Sequence, residues 1–226
     1  MSIVIAVDGT AASGKGTLAK KLAQHFGFAH LDSGALYRLA AYSVLQAKGD
    51  PANEADALRG AQTIDFNLAG DPAIRTDIVG KASSQVAAIP AVRTALFDFQ
   101  KNFLANPPGG SPGAVMDGRD IGTVICPEAT AKLYVDARVE IRARRRWAEL
   151  KAMGIRRAEQ DVVAELQARD AADKSRPVSP LKQAPDADLL DTSDLGIDAA
   201  FAAALALVSP KVAKVLQSAL KDRHRG

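Results

Sequence analysis

Residues 3–17 read Ile3-Val4-Ile5-Ala6-Val7-Asp8-Gly9-Thr10-Ala11-Ala12-Ser13-Gly14-Lys15-Gly16-Thr17. The five apolar residues predict a buried strand, and a glycine-rich loop follows that opens a helix. Glycine lets backbone N–H groups close around an anion with no Cβ in the way. The helix adds its unpaired first-turn N–H groups and the positive end of its dipole. Lys15 supplies a point charge, and the Thr17 hydroxyl suits Mg2+. Gly9, Ser13, Gly14, Lys15, Gly16 and Thr17 are therefore a candidate phosphate cradle. Leu18, Leu22 and Phe26 recur every four residues, giving the helix over Lys15–Phe26 one apolar face.

Outward from that loop the chain alternates strand-like and helix-like runs, which predicts a parallel α/β protein. Ile3–Val7, Ala29–Leu31, Ala114–Met116, Ala131–Val135 and Asp188–Leu190 read as strands. Lys15–Phe26, Ser33–Lys48, Ala91–Leu104, Arg138–Met153, Glu159–Asp173 and Ile197–Val208 read as helices. Pro210 should break the last pattern and leave Lys211–Asp222 as a separate terminal helix. Residues 50–90 are alanine-rich with weak periodicity, and residues 154–187 are charged with three spaced prolines. Both read as insertions on the core. Asn106–Gly113 is rich in Pro and Gly and returns the chain to the sheet.

Composition narrows the function classes. The 226 residues suit one large domain with insertions, and 47% hydrophobic content supports a sizeable core. No run of eighteen apolar residues predicts a membrane span, and no basic leader precedes the first strand. The single Cys126 forms no internal disulfide, which suits a cytoplasmic location. Three histidines leave little material for His/Cys metal centres. A net charge of +3 does not by itself argue for nucleic acid. The arginines are clustered, however: Arg142, Arg144, Arg145 and Arg146 share one predicted helix. The terminal Lys221, Arg223 and Arg225 read as a solvated, frayed end.

Two further groups carry chemistry. In Leu31-Asp32-Ser33-Gly34-Ala35-Leu36-Tyr37-Arg38, Ser33 is placed to cap a helix, and Arg38 one turn on suits a second phosphate. Met116-Asp117-Gly118-Arg119-Asp120 ends a core strand, where ligands of open parallel sheets bind. Two aspartates and an arginine there are costly to bury unless used. Asp117 could hold a water of Mg2+, and Arg119 a phosphate; a structural Asp–Arg pair is the plain alternative.

The motifs GTAASGKGT (9–17), LDSGALYR (31–38), SSQVAAIPAVR (83–93), MDGRDIGTV (116–124) and RDAADKSRPVSPLKQAPDADLLDTSD (169–194) together resemble the bacterial cytidylate kinase family. The last four are far more specific than the loop. The resemblance spans residue 5 to about 195. It implies a P-loop NTPase-like, five-stranded parallel sheet flanked by helices, with an acceptor-binding insertion and a lid. The expected division is core 1–32, acceptor-binding insertion 33–110, core 111–147, lid 148–186 and core 187–226. The implied reaction moves the γ-phosphoryl group of ATP, with Mg2+, to CMP or dCMP.

Residue by residue, the resemblance implies that Ser84, Arg93 and Asp120 meet the cytosine ring. Ser33, Arg38, Arg119 and Arg176 meet the acceptor phosphate, Arg169 and Asp173 the ribose region, and Tyr37 packs beside the nucleotide. Arg142 and Arg146 cover ATP, with Arg145 a competing candidate. Lys15, Asp117, Arg119 and Arg176 carry catalysis, and Thr17 and Asp117 (through water) carry Mg2+. Asp120 would also face the O4 of uracil and disfavour UMP. The chain departs from the family at Thr10, usually proline, and at Lys174, often arginine. At Phe66–Arg75 many members carry a β-hairpin. A broader pyrimidine nucleotide kinase and a non-catalytic P-loop regulator remain alternatives. The low aromatic content, 5%, argues against single-stranded nucleic acid. The expectation is a cytoplasmic monomer acting on small molecules, with no membrane partner.

Overall fold

The structure, a computed structural model, describes residues 2–223. Five strands form one parallel sheet: β1 (Ile3–Gly9), β2 (Ala29–Asp32), β3 (Gly113–Gly118), β4 (Ala131–Asp136) and β5 (Asp188–Asp191). Their spatial order is β2-β3-β1-β4-β5. β1 is central, pairing with β3 from Ile3↔Gly113 to Asp8↔Gly118 and with β4 from Ile5↔Ala131 to Gly9↔Val135. Every residue of β1 and β3 is buried, so both read as continuous rather than alternating apolar runs. The carboxyl ends of β1, β2 and β3 come side by side, and that edge is where the charged motifs emerge.

Eight helices surround the sheet: α1 (Lys15–Phe26), α2 (Ser33–Gln46), α3 (Glu54–Gln62), α4 (Asp77–Ala88), α5 (Pro90–Ala105), α6 (Val139–Ala152), α7 (Glu159–Ser175) and α8 (Ile197–Arg223). α1 and α8 bury Leu18, Leu22, Ala204 and Val208 against β1 and β4. Helices α2 to α5 close a second core around Leu36, Leu39, Ile74, Val86 and Leu96. In a third cluster, Leu150, Val162 and Leu166 of the α6–α7 hairpin pack on Ala11 of the glycine-rich loop.

The weakly periodic stretch 50–90 is more ordered than its pattern indicated. Asn53 and Thr76 cap α3 and α4 by accepting from Asp56 and Val79 N–H, and the alanine face of α3 buries Ala57 and Ala61. Small side chains give little amplitude to a periodicity while still fitting a tight interface. Gly60 shows how tight, since a Cβ there would lie 2.6 Å from the Ala40 carbonyl. Phe66–Gly70 and Pro72–Arg75 form two short 3-10 turns and no hairpin.

The predicted break at Pro210 is overturned: α8 runs through it to Arg223. A proline inside a helix costs about 3 kcal/mol. Val208 and Val212, on either side of it, are both buried in the main core and hold the helix together. Lys221 and Arg223 thus belong to a regular helix, and Arg225 lies outside the described residues. One stretch of α8, Ile197–Ser218, is long and apolar enough to cross a membrane, with mean hydropathy 1.6. Ala200, Ala204, Val208 and Val212 dock it on the sheet and α1, and 22% of the stretch is buried.

Candidate active site

The loop after β1 is shaped by backbone constraints. At Gly9, a Cβ would lie 1.9 Å from the Val135 carbonyl oxygen, so only glycine lets β1 leave the sheet beside β4. Gly14 takes φ 89° as the residue before α1, and Ala12 sits at φ 58°. The loop's carbonyls are turned toward the scaffold. The Thr10 carbonyl accepts from Ser13 Oγ at 3.0 Å and Lys15 Nζ at 3.2 Å. The Ala11 carbonyl accepts from Arg142 Nη1 at 3.0 Å, and the Ser13 carbonyl from Thr192 Oγ1 at 2.9 Å. With its carbonyls held elsewhere, the loop and the first turn of α1 present N–H groups to a ligand. Thr10, which stands where the family usually carries proline, donates its hydroxyl to Asp136 Oδ1 at 2.6 Å and ties the loop to β4.

Lys15 stands half-buried at the floor of the site. Crowding by protein and then Arg119 push its ammonium down to about 7, against the pull of Asp117 and Asp32. An incoming phosphate would restore its charge. Asp117, at the end of β3, is buried, and a Cβ on Gly16 would lie 3.4 Å from its Oδ2. Its Oδ1 is 2.8 Å from His30 Nε2 on β2.

The opposite wall is built from α2, α4, α5 and α7. Asp32, not Ser33, caps α2: its Oδ1 accepts from Ala35 N–H at 3.0 Å. The Ser33 hydroxyl instead donates to the Asp117 carbonyl at 2.8 Å, joining β2 and β3 beneath the site. Asp32 won the cap because its extended backbone and longer side chain reach the third residue on. Arg38 is pushed down to about 10, first by burial and then by Arg169 and Arg146. Arg119 donates through Nε to Asp173 Oδ2 at 2.7 Å. Burial works against both charges, but each outweighs it for the other: Arg119 sits above its ordinary range and Asp173 below. Arg169 is pushed down by burial and Arg119, and Arg176 by burial and Arg93. Arg169 Nε and Arg176 Nη2 are buried with no hydrogen-bond partner. Guanidinium donors left open among like charges have the chemistry of an anion site.

Beyond the arginines, Arg93 and Asp120 form a buried ion pair. Arg93 also donates to the Ala87 carbonyl at 3.2 Å and lies 5.4 Å from the centre of the Tyr37 ring. Arg176 Nη2 comes within 3.8 Å of Asp120 Oδ1. Ser84 donates to the Gly80 carbonyl at 3.4 Å and faces the same space. Donors on Arg93 and acceptors on Asp120 thus lie side by side, a donor–acceptor array complementary in type to a base edge.

One cavity of about 600 Å3 joins these groups, running from Thr192, Leu195 and Gly196 past the loop to Arg93 and Asp120. It brings together Ser13–Thr17, Ser33, Tyr37, Arg38, Ser84, Arg93, Asp117, Arg119, Asp120, Arg146, Arg169, Asp173 and Arg176. Two expected residues fall outside its lining. Gly9 acts at the loop's entry. Arg142, expected to cover ATP, is 5% exposed and works from beneath, bonding Ala11, Ala137 and Asp170. Arg145, its competitor, does line the cavity and donates to the Thr192 carbonyl at 2.6 Å.

Three contributors escaped the sequence reading: His30, Thr192 and Asp8. The Asp8 carboxylate accepts from Ile121 N–H at 2.8 Å and Gly122 N–H at 2.7 Å, anchoring the π-helical turn Ile121–Ile125 that follows Asp120. Burial pushes Asp8 up to about 6 despite those bonds. Its position in the strand pattern, polar among buried apolar residues, was the available signal.

Comparison with known proteins places this geometry in context. The family described as cytidylate kinase matches residues 5–209. A cytidylate kinase from Bradyrhizobium diazoefficiens is 50% identical over 206 residues, covering 91% of this chain and 95% of that one. A cytidylate kinase from Rhodospirillum rubrum is 49% identical over 212 residues, covering 94% and 100%. Among solved structures, an uncharacterized protein from Eubacterium ventriosum superposes with a TM-score of 0.51 at 14% identity over 92% of this chain and 98% of that chain, a likeness of fold.

Proposed function

Because the chain belongs to the cytidylate kinase family, we propose that it transfers the γ-phosphoryl group of ATP to CMP and dCMP. One observation carries the reading: a glycine-rich loop and a buried Arg93–Asp120 pair line one cavity, with half-buried Arg38, Arg119, Arg169 and Arg176 around it. Gly14–Thr17 and Lys15 take the donor phosphates. Ser33, Arg38, Arg119 and Arg176 take the acceptor phosphate, and Arg169 and Asp173 its ribose side. Ser84, Arg93 and Asp120 read the base, with Tyr37 beneath Arg93. Cytosine offers an amino donor to Asp120 and ring acceptors to Arg93; uracil would set its O4 against the carboxylate.

Phosphoryl transfer needs positioning and charge neutralisation more than a nucleophilic side chain. The acceptor is already an anion, so no strong base is required. The arginines neutralise and align the two phosphate groups, and Lys15 meets the transferred group. Residues 33–110 act as the acceptor-binding unit and 148–186 as the lid, with Arg145 and Arg146 at the donor end. The α6–α7 hairpin excludes water from the reacting phosphates when it closes.

Mg2+ fits this site. Among the described residues no cluster of three or more His, Cys, Asp or Glu is poised for a metal. Mg2+ suits such a site because it keeps several waters and binds mainly through substrate phosphates. The Thr17 hydroxyl and Asp117, through water, would hold it, and it would supply charge neutralisation on the phosphates. A single cysteine in the sequence, Cys126, suits a cytoplasmic location.

The test is ADP release from ATP and Mg2+ with CMP, dCMP, UMP, AMP, dTMP or no acceptor. Turnover with CMP and dCMP alone is expected. Equal turnover with UMP would remove the base-reading roles, and none with any acceptor would remove the reaction.

A further inference from the structure

Asp77 is the first residue of α4, where a carboxylate suits the helix dipole and needs no partner. Yet both of its oxygens are occupied, and by arginines distant in sequence. Arg146 on α6 donates Nη2 to Oδ1 at 3.1 Å, and Arg157, between α6 and α7, donates Nη1 to Oδ2 at 2.7 Å. Each arginine is held in turn. Arg157 Nη2 reaches Glu165 Oε2 at 3.3 Å, and its carbonyl accepts from Trp147 Nε1 at 2.9 Å. Arg146 Nη1 reaches Glu149 Oε2 at 3.4 Å, and its Nη2 lies 3.4 Å from the Arg75 carbonyl. The three side chains are 22% to 28% exposed. Among the described residues, the ion pairs joining the α6–α7 hairpin to α2–α5 both fall on Asp77.

The placement gives the cluster its meaning. α4 carries Ser84 at the base end of the cavity, and the hairpin carries Arg169 and Asp173 over the phosphates. Asp77 and Arg146 line the cavity beside them, whereas Arg157 does not. The geometry points to Asp77 as a positioning residue. It holds Arg146 at the cavity mouth and latches the acceptor-binding unit to the lid, so that filling the acceptor site tightens the donor site. Linkage makes the effect reciprocal, because a clamp shared by two units is completed by either nucleotide. An isolated exposed ion pair would couple little; a carboxylate shared by two braced, partly buried arginines couples more. This inference rests on the reading given under Proposed function.

The experiment measures binding of a non-hydrolysable ATP analogue with Mg2+ by calorimetry, with and without saturating CMP. The expected result for the unaltered protein is analogue binding tightened about five- to thirtyfold by CMP. In Asp77→Asn the tightening should fall to about twofold or less, and Arg157→Gln, at a residue outside the cavity, should do the same. Asp77→Glu should restore part of it, and the Asp77→Asn/Arg157→Gln double variant should be no worse than either single one. Melting temperatures report whether each variant folds; if Asp77→Asn does not, Arg157→Gln decides. Retained coupling in the variants, or none in the unaltered protein, overturns the latch. Failure of the unaltered protein to bind CMP at all overturns the proposed function, and the latch with it.

Discussion

The two ends of the cavity are built in different ways. At the donor end, the loop 9–17 works through backbone: glycines set its path, and scaffold groups from Arg142 and Thr192 tie its carbonyls down. At the acceptor end, Arg38 comes from α2, Arg119 from the end of β3, and Arg169 and Arg176 from α7 and its C-terminal cap, and two of them keep buried donors without hydrogen-bond partners. In the first arrangement the backbone is settled without a ligand, its carbonyls bonded and its free N–H groups at a helix start, and the crowding falls on one group, Lys15, pushed down by burial and Arg119. The second is loaded: like charges are packed in the interior and pushed down by burial and by one another. On the proposed function, a phosphate would relieve the crowding of like charges at the acceptor end and complete a preformed nest at the donor end.

The largest test of that contrast is Lys15→Ala, which removes the only side-chain cation of the donor loop. We expect kcat to fall about 10²-fold or more by steady-state assay, with the CMP KM changed little. Unchanged kcat would move the donor role away from the loop. Because the free Lys15 titrates near 7, kcat/KM for ATP should also decline as pH rises through that value. The kcat should hold to higher pH, where bound phosphates keep the ammonium charged.

Next is Asp120→Asn, which leaves the phosphate groups in place and alters the base end. The ratio of kcat/KM for CMP over UMP should fall about 10- to 100-fold. A preserved ratio would show that the Arg93–Asp120 pair is structural.

Asp8 tests the scaffold beneath both ends. Its carboxyl sits at about 6 when folded, above the ordinary 3.8. A group raised in this way contributes stability that is complete below about 3.8 and is lost as pH rises through about 6. The difference is ~3 kcal/mol for the two-unit shift. Denaturant titrations from pH 4 to 7 should show this decline, and Asp8→Asn should flatten it. A parallel slope in the variant would place the titration elsewhere.

The smallest effect is expected at His30. His30→Leu removes the donor to Asp117 and should slow turnover about three- to tenfold, while His30→Gln, which keeps an N–H within reach, should recover most of it. Equal rates for both would show that Asp117 is held by its burial alone.

Legibility differed between the two ends in the same way. The donor loop is contiguous, so its strand, glycines, lysine and helix stood in order along the chain, and the observed α1 has the expected limits. Ser84 and Arg93 carried no signal in their local pattern. They were found by resemblance to a family, because a group brought together from α4, α5 and the end of β3 has no spacing of its own. Arg142 and the cap of α2 were misjudged for the reverse reason: the Ala11 carbonyl holds Arg142 beneath the loop, and Asp32 takes the cap while Ser33 bonds the Asp117 carbonyl.

The sequence by itself determined the parallel α/β class, the strand–loop–helix phosphate nest and the positions of the charged motifs, because these rest on periodicity and on glycine's local freedom. Tertiary structure alone decided that α8 continues through Pro210, that alanine-rich residues 50–90 fold as packed helices, and which arginines face the cavity. Those outcomes depend on long-range burial, which compensates a local helix penalty, and on competition for buried hydrogen-bond partners, which only the assembled chain brings together.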